Sequence, residues 1–272
     1  MGEHDPAADL PPTLRRLWGH EARPRRGPRP ALTTEQILRA AAAIADADGL
    51  AAVSMARIGE ALGYSAMALY RHVDGKDELL VLLADHIAAE IPTPQYPGDW
   101  REGLHAWARA QIEGLLARPW FLDLPLAAVQ PGPNRVRWLD DAFRILRDVP
   151  VPADTKLAVV GLLSQHVLGE ARVQLESARA AAATVRHSRG LPADAPESDL
   201  DPAEVVAANP FHDFVTALRL LADPAAYPDL AGAMAAEPPV ATASATEDVE
   251  FGLTVVLDGI AAHLARNSPQ HL

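Results

Sequence analysis

Between residues 33 and 91 the apolar positions fall into four short runs, each with the spacing of one helix face. The first run contains Ile37, Ala41 and Ile44, which would line one side of an α-helix. A Thr-x-x-Gln sequence that starts at Thr33 has the form of a capping box, and a glycine follows at the expected helix end. The first run therefore predicts a capped helix with one buried face.

The next three runs predict three more helices. Ser54 is a suitable N-cap for a second helix that ends at Gly63, and Ser65 is suitable for a third helix that ends near His72. A fourth helix is expected to begin at residues 74–77, again with a capping-box pattern, and to end before a pair of prolines. Four helices joined by short, glycine-containing turns predict a complete small domain.

Beyond residue 92 the pattern remains helical, and no strand-like alternation stands out. Helices are predicted at residues 100–117, 135–147, 154–185, 211–221 and 247–266. Two stretches rich in proline, alanine and acids are expected to be mobile loops, at residues 186–207 and 223–246. We therefore predict an all-α fold in three parts: a flexible basic arm at 1–31, a small helical domain at 32–91 and a larger helical domain at 92–272.

The formal net charge of the chain is −12, which argues against a protein that coats nucleic acid nonspecifically. Residues 1–30 differ from the rest, because they hold six arginines against four acids. Arg23, Arg25, Arg26 and Arg29 lie close together with no acid between them. An acidic protein with a local basic arm suits contact with DNA through one small surface. The arm either follows the minor groove or is a solvated tail, and both alternatives stay open.

The sequence has no cysteine, which excludes disulfides, thiolate metal sites and cysteine nucleophiles. Its first residues are polar and acidic, unlike a signal peptide, and its apolar runs are too short to cross a bilayer. We therefore expect a cytoplasmic protein with no membrane association.

Residues 53–76 have the layout of a helix-turn-helix. The turn needs a glycine-like backbone, which Gly63 supplies, and a close crossing of the two helices needs a small residue, which Gly59 supplies. Four apolar residues are expected to hold the pair against the first and fourth helices: Ile58, Leu62, Leu69 and Val73.

The outward side of the second helix of this motif carries short side chains followed by hydrogen-bond donors. Short side chains let a helix enter the major groove deeply, and tyrosine, arginine and histidine can donate to phosphates. Lys76 adds a cation beside a free helix N-terminus. The predicted DNA-contacting residues are Ser54, Arg57, Ser65, Ala66, Met67, Ala68, Tyr70, Arg71, His72 and Lys76.

The Leu-Tyr-Arg-His-Val block at 69–73 and the Lys-Asp-Glu-Leu-Leu block at 76–80 resemble the DNA-binding domain of the tetracycline-repressor (TetR) family, over about residues 32–90. Residues 164–170 and 251–260 are similar to the two dimer-forming helices of the subgroup closest to the tetracycline repressor. The resemblance implies a ligand-responsive transcriptional regulator, most simply a repressor. Its implied partners are a palindromic double-stranded DNA operator, an unidentified small-molecule inducer and a second copy of the chain.

Carried over by position, the resemblance implies that bases are read by Ser54, Met55, Ala56, Ala66, Met67 and Ala68. It assigns the phosphate contacts to Tyr70, Arg71, His72 and Lys76. Ala56 stands where the founding member of the family has a base-reading arginine, so the operator sequence does not transfer. We expect inducer binding to move the fourth helix and to change the separation of the two recognition helices.

The larger helical domain contains five candidate ligand contacts. They are Trp107, Trp120, Phe121, Trp138 and His166. Aromatic residues at helical spacing also suit a plain core, and a histidine in an apolar helix also suits an interior hydrogen bond, so both alternatives stay open. Against the founding member, no histidine lies between Arg118 and Val129, and Val173 stands where a glutamate is expected. A magnesium–tetracycline site is therefore not expected.

Two late helices carry apolar stripes. They consist of Val160, Leu163, Val167 and Ala171, and of Leu253, Leu257, Ile260 and Leu264. We expect them to form a four-helix dimer interface, with Gly161, Gly169 and Gly259 allowing close approach. Packing within one chain is the alternative.

Two other kinds of protein stay open as alternatives: an enzyme with an accessory DNA-binding domain, and an architectural DNA-binding protein. The chain contains no phosphate-binding Gly-rich loop, no His-Glu-x-x-His and no Gly-x-Ser-x-Gly. An architectural protein would not need so long an apolar helical region. We therefore expect no enzymatic activity, no metal and no other cofactor.

Overall fold

A computed structural model describes residues 10–19, 32–91, 95–96, 98–210, 214–236 and 245–267. Within these ranges the regular elements are α-helices and short 3₁₀ turns, which confirms the predicted all-α fold. The α-helices are α1 (Pro12–Leu17), α2 (Thr34–Asp48), α3 (Met55–Leu62), α4 (Ala66–Leu69), α5 (Lys76–Ala88), α6 (Trp100–Ala117), α7 (Pro133–Ile145), α8 (Ala153–Ser188), α9 (Pro202–Ala207), α10 (Phe214–Leu221), α11 (Pro228–Ala236) and α12 (Ala245–Asn267).

The chain divides into two compact units. One contains the residues up to Ser164 together with those from Arg266 onward, and the other is Gln165–Ala265. This division falls inside α8. The predicted domain boundary lies at residue 92 and was placed there from the composition of the linker. The predicted domain limits therefore stay a prediction.

The small helical domain is built from local capping and a shared core. The Thr33 hydroxyl accepts from the Gln36 amide at 3.2 Å, and the Gln36 side chain accepts from the Thr33 amide at 2.9 Å, as the capping box predicts. The Ser54 hydroxyl caps α3 in the same manner. The apolar faces meet in a core whose members are at most 1% exposed: Ile37, Val53, Ile58, Leu69, Val73, Leu79 and Leu83.

Two helix boundaries differ from the prediction. The third helix ends at Leu69 and not near His72, because the His72 and Val73 amides both turn back to the Leu69 carbonyl, at 2.8 and 3.1 Å. Ser65 precedes it without a side-chain capping bond. The fourth helix begins at Lys76 without a side-chain N-cap, so the predicted capping box at residues 74–77 is not formed.

The N-terminal arm contains an ordered element, contrary to the expectation of a structureless segment. Residues 12–17 form α1, which lies against α5. Proline at the first helical position fixes a helical φ angle, which favours a helix even in a proline-rich segment. The arginine cluster at 23–29 lies outside the described residues.

The expectation of mobile loops after residue 186 is wrong in two places. Residues 202–207 form α9, and residues 228–236 form α11. The Asp201 carboxylate caps α9 by accepting the Ala203 amide at 2.9 Å. The segment before α9 is held because Leu200 packs against the end of α8. The alanine- and proline-rich composition concealed these local caps and buried apolar positions.

The two apolar stripes predicted for the dimer interface are buried within the single chain. Their members are at most 4% exposed: Val160, Leu163, Val167, Ala171, Leu253, Leu257, Ile260 and Leu264. The alternative of packing within one chain is therefore correct for these residues, because a stripe already covered by its own chain offers no surface to a partner. Above Gly161, Gly169 and Gly259 the structure leaves open space.

Candidate nucleic-acid interface

A tight turn fixes the angle between α3 and α4. Gly63 adopts the left-handed conformation (φ 75°, ψ 28°), its amide bonds to the Glu60 carbonyl at 3.2 Å, and the Tyr64 amide bonds to the Gly59 carbonyl at 2.8 Å. This pair of bonds is a Schellman motif, which needs a residue that tolerates positive φ. A Cβ on Gly59 would lie 2.6 Å from the Tyr64 carbonyl oxygen. Both predicted glycine roles are therefore confirmed.

The fixed turn presents one side of α4 outward. Leu69 is fully buried and holds α4 on the core, whereas Met67 is 72% exposed and Tyr70 is 45% exposed. The other predicted contacts on this helix and the following turn are exposed or half-buried: Ser65, Ala66, Ala68, Arg71, His72 and Lys76. Short and donor side chains thus share one accessible surface, which suits a groove lined by phosphates.

The start of α3 carries the remaining predicted contacts. The Ser54 hydroxyl is exposed but already accepts the Arg57 amide at 3.2 Å. The Arg57 guanidinium forms an ion pair with Asp48. Met55 is buried, so its assignment to base reading is wrong, because the side chain packs inward at the first turn of α3. Ala56 is exposed at the same helix end.

The cations at the end of α4 and the start of α5 remain available. Among the described residues, neither Arg71 nor Lys76 has an ion-pair partner, and both are exposed. A cation that is not neutralised within the protein can replace a counterion on the DNA phosphates.

Comparison with known families shows which family the chain belongs to. Residues 37–83 match the family model of bacterial regulatory proteins of the tetR family, and residues 93–264 match the tetracyclin repressor-like C-terminal domain. The second match alone spans more than half of the chain. The chain belongs to the TetR family. The predicted resemblance is therefore confirmed, and residues 37–83 correspond to the DNA-binding domain model of this family.

Two curated relatives that are similar in sequence are named as HTH-type transcriptional regulators. The HTH-type transcriptional repressor DrrR1 of Streptomyces coeruleorubidus is 34% identical over 171 residues, which is 62% of this chain and 63% of the relative. An HTH-type transcriptional regulator of Saccharopolyspora erythraea is 29% identical over 174 residues, 62% of this chain and 74% of the relative. The chain thus spans less than two thirds of the length of DrrR1.

Solved structures of another family member share the fold. The Streptomyces coelicolor TetR family protein ActR in complex with (S)-DNPA has a TM-score of 0.62 and 25% identity, covering 85% of this chain and 98% of ActR. The ActR complex with actinorhodin has a TM-score of 0.61 and 27% identity, covering 86% of this chain and 98% of ActR.

Two of the candidate ligand contacts of this TetR-family chain form a pair in the core. The Trp107 indole donates to the Trp138 carbonyl at 2.9 Å, and the Trp138 indole donates to the Ala88 carbonyl at 3.2 Å. Their ring centroids are 6.3 Å apart. Because both indole N–H groups are satisfied, these side chains offer a ligand only their apolar rings. The pair connects α6 and α7 to the end of α5.

The other three candidates lie elsewhere. Trp120 is buried beside Phe121, with ring centroids 6.4 Å apart, and its indole donates to the Asp46 carboxylate of α2 at 2.7 Å. His166 is half-buried in α8, and a Cβ on Gly252 would lie 3.0 Å from its imidazole. Its Nε2 atom is buried without a hydrogen-bond partner in the described chain. The ligand-contact assignments stay predictions.

A polar cluster that the sequence did not indicate lies between the start of α6 and α7. The Arg144 guanidinium is 5.3 Å from the centroid of the Tyr96 ring and pairs with Asp141 at 2.6 Å. Burial, and then the charge of Asp141, raise the pKa of Tyr96 to about 12. The Tyr96 hydroxyl and one Asp141 oxygen are buried without a partner in the described chain. These atoms are polar groups to which a bound molecule could hydrogen-bond.

Asp85 is another functional residue that the sequence patterns did not indicate. It is buried in α5 and accepts the Arg135 amide at 3.1 Å and the Asn134 side-chain amide at 3.0 Å. The start of α7 has no side-chain cap of its own, so a carboxylate on α5 caps it. The sequence signal that could have indicated this role is a single acidic residue inside the otherwise apolar run of α5.

Within the described residues, no group of three metal-ligating side chains is placed to hold a metal ion, and no helix is long and apolar enough to cross a membrane.

Proposed function

We propose that this protein is a transcriptional repressor that binds a palindromic operator as a homodimer and releases it when a small molecule binds the larger helical domain. The observation that supports operator binding most directly is the two-sided character of α4. Leu69 is fully buried on one side, while Met67 is 72% exposed on the other. A helix held in this way can be inserted rigidly into a major groove.

The proposed assignment of base contacts and phosphate contacts follows the chemistry of the exposed side chains. Ala66, Met67 and Ala68 offer apolar contact to base edges, and thymine methyl groups are the natural partners of such side chains. Tyr70, Arg71, His72 and Lys76 lie beside them and donate to phosphates, which fixes orientation without reading sequence. Ser54, Arg57 and Ser65 complete the proposed contact set. The functional domains are proposed at residues 32–91 for DNA and 92–272 for ligand and dimerisation.

Repression and ligand release rest on the relatives. DrrR1 is named a transcriptional repressor, and ActR has been crystallised with two different small molecules. Repression that is relieved by a ligand is therefore the function that best accounts for both the DNA-contacting surface and the large helical domain. Release requires that the ligand bind the two conformations with different affinity.

A second surface supports dimerisation. Phe251 and Val255 are exposed one turn apart on α12, and Leu168 and Val173 are exposed on α8. The two helices approach each other where Gly252 meets His166, next to Phe251. Leu168 and Val173 lie about 140° apart around α8, whereas Phe251 and Val255 share one side of α12. Neighbouring exposed apolar side chains such as this pair indicate an interaction surface. We propose that a second copy covers this face, opposite to the buried stripes.

The operator-binding proposal is tested by selecting duplexes from a random pool with the full-length protein and measuring affinity against salt. Wild type should enrich a palindromic sequence. Lys76→Ala should weaken binding to every duplex similarly and reduce the log–log salt slope of the dimer by about 1.8, because each of its two subunits loses one phosphate contact that contributes about 0.9. Met67→Ala should instead change which sequence is enriched.

Arg109→Ala is the matched control, because it removes an exposed cation on α6 that pairs with Glu113. It should leave affinity and slope unchanged. Failure of wild type to enrich any sequence, or an unchanged slope in Lys76→Ala, would contradict the proposed interface.

The dimer proposal is tested by light scattering during size-exclusion chromatography. Phe251→Glu places a charge in the proposed interface and should convert a dimer to a monomer. Leu220→Glu changes an equally exposed apolar residue on α10 and should leave the mass unchanged. A monomeric wild type, or a dimeric Phe251→Glu, would refute the assignment of this face.

A further inference from the structure

Arg16 in α1 reaches the turn that joins α4 to α5. Its guanidinium donates to the His72 carbonyl at 3.2 Å, to the Glu78 carboxylate at 2.5 Å and to the Asp74 carboxylate at 3.4 Å. The Arg16 side chain is 21% exposed and that of Glu78 is 7% exposed. Charges at the edge of a core attract one another more strongly than charges in water, because the effective dielectric is lower.

The Glu78 carboxylate also holds the turn directly, since it accepts the Asp74 amide at 2.6 Å. One ion pair therefore satisfies a main-chain carbonyl at residue 72 and a main-chain amide at residue 74. The His72 and Val73 amides bond back to the Leu69 carbonyl, and the Arg16 and Glu78 contacts hold the next two polar groups of the turn, the His72 carbonyl and the Asp74 amide. Removing Arg16 would leave a buried carboxylate without its cation, which is strongly unfavourable.

A second contact holds the same, C-terminal end of α1. The indole of Trp18 donates to the Pro131 carbonyl at 3.0 Å, just before α7 begins. Proline at the start of α1 favours the helical conformation. Arg16 is thus presented to the turn by a helix end that the Trp18 contact also holds.

We propose that Arg16 is a positioning residue for DNA binding: it fixes the α4–α5 turn from which Tyr70, Arg71 and Lys76 approach the phosphates, and contacts no phosphate itself. The inference rests on the proposed operator binding. It gives the N-terminal extension a role that its basic composition alone did not indicate, because the acceptors of Arg16 belong to the protein.

The test uses full-length protein and the duplex that wild type selects. Arg16→Ala should weaken binding about tenfold, because the unfixed turn must then be ordered on binding. The salt slope should stay at the wild-type value, because the same phosphate contacts form in the complex. Arg15→Ala is the matched control, since it removes the same charge from the adjacent position of the same helix. It should change affinity less than twofold. Lys76→Ala provides the comparison slope for a lost phosphate contact.

Hydrogen exchange of the Asp74 amide gives a readout that needs no DNA. Exchange should be faster in Arg16→Ala than in wild type or Arg15→Ala, because the Glu78 acceptor is no longer held. Glu78→Gln gives a second variant if Arg16→Ala does not fold, and should also speed exchange and weaken binding. In the double variant the two effects should not add, as expected for residues that act together.

Three results would overturn the proposal: unchanged affinity in Arg16→Ala, a reduced salt slope in Arg16→Ala, or an equal loss in Arg15→Ala. The second would make Arg16 a phosphate contact. If wild type selects no duplex, the proposed function fails, whereas the Arg16 contact is still judged by exchange: unchanged protection of Asp74 refutes it.

Discussion

The crossing of α3 and α4 should not tolerate a single added methyl group. In Gly59→Ala the new Cβ would lie 2.6 Å from the Tyr64 carbonyl oxygen and 3.3 Å from the Ala66 amide nitrogen. Both are backbone atoms, so no side-chain rotation relieves the contact. Real Cβ contacts essentially never fall below 3.0 Å. The backbone at residues 64–66 must therefore move by at least about 0.4 Å, the difference between these distances.

Two opposing terms set the expected size of the effect. Overpacking of this kind costs about 1–3 kcal/mol, whereas alanine in place of glycine inside a helix stabilises by about 1 kcal/mol. The net loss of unfolding free energy is then up to about 2 kcal/mol. In a chain of this size each kcal/mol lowers Tm by about 2–4 °C, so Tm should fall by up to about 8 °C. Operator affinity should fall at least about tenfold, because the displaced α4 carries Met67 and Tyr70.

The measurements are thermal unfolding and binding to the selected duplex. Gly232→Ala is the control, because it makes the same change inside α11, where nothing lies within 4 Å of the added atom. It should be as stable as wild type or slightly more stable, with unchanged affinity. The reasoning would be refuted if Gly59→Ala matched Gly232→Ala in both Tm and affinity.

Three further substitutions have defined outcomes. Ser54→Ala removes the N-cap of α3 and should cost about 1 kcal/mol in unfolding free energy; an unchanged Tm would show that the cap is dispensable. Asp85→Asn removes a charged acceptor from the start of α7 and should cost about 1–3 kcal/mol, measured by urea unfolding against wild type. The pKa of Tyr96 is raised to about 12, so its contribution to stability is fully present below its ordinary pKa and is lost as pH rises toward the folded value. Tyr96→Phe should therefore lose less stability than wild type across that alkaline range, and an identical pH profile would contradict the assigned burial.

Features that depend on a few neighbouring residues were predictable from the sequence. The capping box at Thr33, the boundaries of α6 and the glycines at 59 and 63 were all correct. Caps and turns are closed by hydrogen bonds between residues close in sequence, so their signals are local. The same local spacing identified the family, because the exposed contacts follow the turn at fixed intervals.

The sequence by itself therefore determined the helices of the small domain, the helix-turn-helix and the family, because each depends on short-range spacing. Only the tertiary structure decided which apolar stripe of α8 faces inward, since a helix of 36 residues carries apolar residues on more than one side. It also decided that Met55 is buried, that Asp85 caps α7 and that Arg16 holds a turn far away in sequence. These contacts join residues that are far apart in the sequence. A pattern within one segment therefore cannot specify which residue of another segment will contact it.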